Sequence, residues 1–135
     1  MPFLDEIADR IVSQGAGVIG QNLFLSTKAS IPSGSGPYTT LIESGGTTSR
    51  RTHNGTATQR PSAQIVVRAS TYPIARAQAV LVYEALGGDN GLHNTVLMGT
   101  FYQYIVPIQQ INDLGLDELA RPRLVFNINA EKVPS

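Results

Sequence analysis

The sequence predicts an α+β fold, a mostly antiparallel sheet of about six strands with two helices packed on one face. Three observations carry that expectation. Two segments space their apolar residues at the helical period. About six others alternate them with period two or run apolar over a few residues. Gly- and Pro-containing turns separate the segments, including the hairpin-like break at Gly99-Thr100.

The first element is FLDEIADRIVSQG. Leu4, Ile7, Ala8, Ile11 and Val12 fall on one stripe, and Asp5, Glu6, Asp9 and Arg10 fall opposite. The acids stand in the first turns, where the helix dipole favours them, and Gly15 supplies a stop. This predicts a helix over residues 2–14. A short apolar run over residues 22–26 predicts a strand, and the Ser/Gly/Pro run at 30–37 a turn region. YTTLIES alternates Tyr38, Thr40 and Ile42 against Thr39, Leu41 and Glu43. SAQIVVRA sends Ala63, Ile65, Val67 and Ala69 one way and Gln64, Val66 and Arg68 the other. A second helix follows, capped by Thr71, with Pro73 in its first turn and Gly87-Gly88 at its end. Its predicted inner stripe is Ile74, Ala77, Leu81 and Ala85, with Gln78 as the odd member. LHNTVLM and TFYQYIVP make a β pair. IQQINDLGLDELARP reads as a loop with a helical turn. RLVFNINAEKV closes the sheet, with Leu124, Phe126, Ile128 and Ala130 inward and Val125, Asn127, Asn129 and Glu131 outward.

At 135 residues the length suggests one domain, 1–135, able to bury about 68% of its unfolded surface. There is no cysteine, so no disulfide framework and no thiolate chemistry. No secretory h-region opens the chain and no apolar run approaches a membrane span, so the sequence reads as a soluble intracellular product without a membrane partner. Net charge is zero, which gives no bulk attraction to nucleic acid. Only 15% of residues are charged, compatible equally with a surface partly covered by other chains and with a polar surface built from Ser, Thr, Asn and Gln.

The charge is unevenly placed. Arg50, Arg51, Arg60, Arg68 and Arg76 lie between Glu43 and Glu84 with no acid among them. Arginine outnumbers lysine eight to two and is the usual residue of interface ion pairs and phosphate contacts. Residues 45–61 contain no Leu, Ile, Val or aromatic side chain, which predicts a long mobile loop that either serves a partner or is a dispensable solvated tip.

Catalytic chemistry is not written in the motifs. There is no G-x-S-x-G elbow, no phosphate-binding G-x-x-x-x-G-K-[ST] loop and no dinucleotide fingerprint. His53 and His93 are far apart in sequence and read as surface or hydrogen-bonding residues. Asp113, Asp117 and Glu118 fit no calcium-loop spacing and read as turn caps or as partners for a base. No cofactor, metal or catalytic residue is assigned, and the reading is not an enzyme. In TFYQYIVP, Phe101 and Tyr102 must point to opposite faces. The core takes first place for these aromatics, a subunit interface lined by Tyr102 and Tyr104 comes next, and base stacking last.

The second half carries a resemblance. RPSAQIVVRAS, an alanine-rich helix, TFYQYIVPI and then DLGLDELARPRLVFNINAEK stand in an order similar to the tail terminator proteins of long-tailed bacteriophages, also described as tail completion or minor capsid proteins. The best carriers are Gly115, Asp117 and Arg121 in a G-x-D-x-x-x-R run leading into a strand with Asn127 and Asn129, and the order SGPYTTLIESGG…RTHN…RPSAQIVVR. The resemblance spans roughly residues 20–132. It implies an α/β subunit that assembles as a ring, typically a hexamer. The ring would cap the tail tube, stop its polymerisation and meet the head–tail connector protein. Genomic DNA would pass through its lumen without sequence-specific binding. The location implied is the virion neck, after assembly in the host cytoplasm. On that reading Arg50, Arg51, His53 and Arg60 of the loop are candidate interface residues, with Tyr102, Tyr104, Asp117 and Glu118, the last two offering carboxylates to a neighbour's arginines. A head–tail connector or stopper protein is the near alternative, and a nucleic-acid-binding module the more distant one.

Overall fold

The computed structural model describes residues 3–25, 36–44, 47–51, 57–117 and 120–133. Within them the order is α1 (Phe3–Ser13), β1 (Leu23–Leu25), β2 (Tyr38–Glu43), β3 (Thr47–Arg51), β4 (Ala57–Arg60), β5 (Ser62–Arg68), α2 (Tyr72–Ala85), β6 (Leu92–Leu97), β7 (Thr100–Pro107), β8 (Asn112–Leu116) and β9 (Pro122–Lys132). The α+β class holds. The sheet is antiparallel except where β1 joins β2 in parallel.

Strand β9 organises the sheet. Along one side it pairs with β5, Ser62 opposite Asn129 through Arg68 opposite Arg123, and then touches β4 at Gln59–Lys132. Its other side is shared by β8 and β7. β2 extends the sheet beyond β5, and β6 extends it beyond β7. One face of β2, β5, β7 and β9 carries Leu41, Ala63, Ile65, Ile105, Phe126, Ile128 and Ala130, all buried, and both helices cover it. Tyr83 of α2 meets Phe126 edge-on at 5.1 Å between ring centroids. Arg10 of α1 donates its Nε–H to the Ala85 carbonyl at 3.0 Å and ties the helices together.

Three strands go beyond the expectation from sequence. The predicted loop at 45–61 contains β3 and β4, paired from Thr47–Arg60 to Arg51–Ala57 with a bulge. With β2 and β5 they form one long hairpin whose two arms are interrupted near Ser44 and Pro61. The backbone ladder supplies the order that apolar side chains do not. The third is β8, expected as loop and helical turn. All five of its residues are exposed, so its ladder to β9 leaves no mark in hydrophobic periodicity.

The face of α2 is also corrected. Ala75, Ala79, Val82, Tyr83 and Leu86 are buried, whereas Ile74 and Leu81 are 44% and 55% exposed and Ala77 is exposed. Alanines let the helix lie close to Val67 and Leu124, and they form the second core cluster with Ala69. Of the predicted stripe only Ala85 is inside. On α1, Val12 is turned outward and Glu6 is fully buried, both contrary to the amphipathic reading.

The turns explain their glycines. Gly91, at φ +70, follows the 3-10 turn Gly88–Asn90, and a Cβ there would sit 2.3 Å from the Ile105 carbonyl oxygen. Met98 and Gly99, at φ +49 and +82, make the tight two-residue connection between β6 and β7.

Candidate assembly interface

The residues singled out by sequence separate into different surroundings. Tyr102 lies within the core and is 0% exposed, so it cannot line a subunit interface. Its hydroxyl donates to Glu6 Oε1 at 2.5 Å, and Lys132 Nζ donates to the same oxygen at 3.1 Å. Lys132 also stands 6.0 and 5.8 Å from the ring centroids of Phe3 and Tyr102. Burial and the Glu6 contact push the Tyr102 hydroxyl far above its ordinary range. This cluster fastens α1 to β7 and β9. Tyr104, two residues on and past a bulge, is half-buried opposite Glu131.

Arg60 is held by its own chain, its Nε 3.7 Å from Glu131 Oε1. Glu131, expected outward, is 1% exposed, and its Oε2 accepts from Thr58 Oγ1 at 3.4 Å. Arg50 and Arg51 are on β3, in register with Thr58 and Ala57. His53 and Glu118 lie outside the described residues. Asp117 is engaged within the chain. Its Oδ1 accepts from the Arg121 amide at 2.9 Å, its Oδ2 from Arg121 Nε at 2.8 Å, and its own amide donates to the Arg121 carbonyl at 2.9 Å. The G-x-D-x-x-x-R run is therefore the closure of the β8–β9 turn. Asp113 caps the same region by accepting from the Gly115 amide at 2.8 Å.

The face of the sheet away from the helices holds a feature absent from the sequence reading. Tyr38, Arg68 and Arg123 are successive partners across β2, β5 and β9. The Arg68 guanidinium lies over the Tyr38 ring, 5.3 Å from its centroid. Like charges directly opposite on neighbouring strands repel. Burial, and next the Arg121 charge, hold Arg68 below its ordinary value, against the opposing pull of Asp117. Ile42, Val66 and Leu114 flank this row, and together they line an open basin of about 360 Å³. No signal in the sequence pairs Arg68 with Arg123, because only the register does so.

A small one-sheet subunit with a helical face, an arginine-bearing open face and several exposed apolar side chains has the build of an assembly component. The chain belongs to the bacteriophage tail terminator protein family, whose model matches residues 11–134. It is thus a structural protein of the phage tail. Its fold is shared by a chain in the solved structure of the virion of a native gene transfer agent particle, with TM-score 0.63 and 13% identity, over 98% of this chain and 95% of that one. A comparison with curated protein sequences gave no match.

Proposed function

We propose that the protein is a ring-forming tail terminator, not an enzyme, and that it caps the end of the tail tube, halts its polymerisation and joins the tail to the head connector at the virion neck. The observation that carries this is the family match over residues 11–134. The fold shared with a virion chain supports it. The subunits would close as a hexamer through a heterologous contact, in which one patch meets a different patch on the neighbour. Assembly takes place in the host cytoplasm, and genomic DNA passes through the lumen without base-specific contacts. Zero net charge suits such passage better than tight binding.

Strand β4 joins β9 and leaves β3 at the end of the strand order, where Arg50 and Arg51 would meet carboxylates of the tube or connector. Arg60 is better left out of that role, since Glu131 already engages it.

The test is mass by light scattering on a size-exclusion column, with negative-stain images, followed by addition to purified tail tubes. Closed rings that bind one tube end and fix tube length support the reading. Rings that bind only portal complexes would assign the protein to the connector side. Replacing Arg50 and Arg51 together by Ala is expected to weaken tube capping without changing the fold. Unchanged capping removes them from the interface.

A further inference from the structure

The helical stripe that the chain does not bury and the like-charged row on its open sheet face are complementary. Ile74, Ala77, Leu81 and Glu84 stand at i, i+3, i+7 and i+10 on α2 and are all exposed. They present an apolar ridge ending in a carboxylate. On the opposite side of the molecule the basin offers the apolar flank of Ile42, Val66 and Leu114 and the guanidinium pair Arg68–Arg123. The basin's own carboxylate, Asp117, already accepts two hydrogen bonds from Arg121. Among the described residues, Arg68 and Arg123 of the basin and the neighbouring Arg121 stand against the single carboxylate of Asp117, a positive excess.

The dimensions agree. Helix α2 has 14 residues, about 21 Å at 1.5 Å each. Strand β5 has seven, about 24 Å at 3.4 Å each. A helix about 10–12 Å across covers two to three strands spaced about 4.8 Å apart, and β2, β5 and β9 provide three.

We infer that α2 of one copy seats in the open-face basin of a second copy, with Glu84 meeting Arg68 and Arg123. The inference rests on the ring reading above and specifies the two patches that meet. The contact is heterologous, helix side against sheet side, so it repeats from copy to copy and closes when the rotation between copies permits. It also sets a carboxylate against the positive excess of the basin and covers the apolar stripe of α2.

The absence of cysteine makes the test direct. Two single variants, Leu81→Cys and Val66→Cys, are mixed and oxidised, and the mass of the native assembly is measured in parallel. A disulfide-linked heterodimer between the two variants, with neither variant linking to itself alone, is the expected result. In a second arm, Glu84→Arg and Arg123→Glu each weaken self-association about tenfold or more, and the two variants mixed together recover it. Circular dichroism and melting of each variant separate loss of contact from loss of fold. If rings form but the two introduced thiols do not link and the charge reversals leave association unchanged, the inferred contact is wrong while the ring reading stands. If the protein is monomeric both free and on tube ends, with no link formed, both are wrong.

Discussion

Replacing Lys132 by Met should be among the most damaging single changes in the protein. Its side chain is 8% exposed and stands 3.1 Å from Glu6, which is 0% exposed. At an effective dielectric of about 20, the gross attraction at that distance is about 5 kcal/mol. Desolvating the two ions costs several kcal/mol each, so the intact pair comes close to break-even. Removing only the cation leaves the Glu6 carboxylate buried, with Oε2 already lacking a hydrogen-bond partner. The expected loss is about 3–5 kcal/mol. For this length that lowers Tm by about 10–20 °C. The double variant Glu6→Gln with Lys132→Met should recover most of the loss, since no uncompensated charge remains. Urea denaturation of wild type, both single variants and the double variant completes a thermodynamic cycle. A Lys132→Met variant within about 1 kcal/mol of wild type would refute the claim that the pair is closed to water.

Stability should also depend on alkaline pH through Tyr83, whose hydroxyl donates to Asp89 at 2.6 Å. Burial, and then Asp89, push its pKa from 10.0 up to about 12. A group with a raised folded pKa stabilises fully below its unfolded pKa, so this contribution fades as pH rises from about 10 to about 12. Tyr83→Phe should flatten that part of a stability-against-pH curve, and an unchanged slope would contradict the assignment. Gly91→Ala combines φ +70 with a Cβ 2.3 Å from the Ile105 oxygen and should cost about 3 kcal/mol in chemical denaturation. Gly99→Ala, at φ +82 with nothing within 4 Å, should cost only about 1 kcal/mol. Asp117→Ala removes both bonds to Arg121 and should lose about 1.5–3 kcal/mol, with faster amide exchange at Arg121 as its local signature.

What could be read from the sequence follows the physics of burial. Strand β5 was legible because Ala63, Ile65 and Val67 alternate with Gln64, Val66 and Arg68, of which only Val66 is apolar, and β9 because Phe126, Ile128 and Ala130 alternate with Asn127 and Asn129. Strands β3, β4 and β8 were not, since TTSRR, ATQR and NDLGL contain little apolar pattern and owe their form to backbone pairing. On α2 the two largest aliphatic side chains, Ile74 and Leu81, point away from the core, so periodicity selected the wrong side. The small Ala75 and Ala79 are inside because they permit close approach to the sheet. Glu6, Tyr102 and Lys132 were invisible as a group because 96 and 126 positions separate Glu6 from the other two. Of the candidate interface residues, Asp117 did behave as a turn cap and ion-pair partner. The opposed arginines of the open face required a register that composition does not encode.

Strand β9 has a consequence for how the chain matures. It is the last of the described strands to leave the ribosome, and it holds β4, β5, β7 and β8 together. Before it arrives, the nascent chain has two separate sheet fragments, the β2–β5 hairpin and the β6–β7 hairpin, each with an open hydrogen-bonding edge. The edge of β5 must wait about 60 residues for its partner, which makes the closing step non-local and slow relative to hairpin formation. An unfinished subunit therefore has no completed open face for another copy to occupy. If copies meet through the open face as inferred above, the strand that completes the sheet is also the one that makes the subunit ready to join its neighbours.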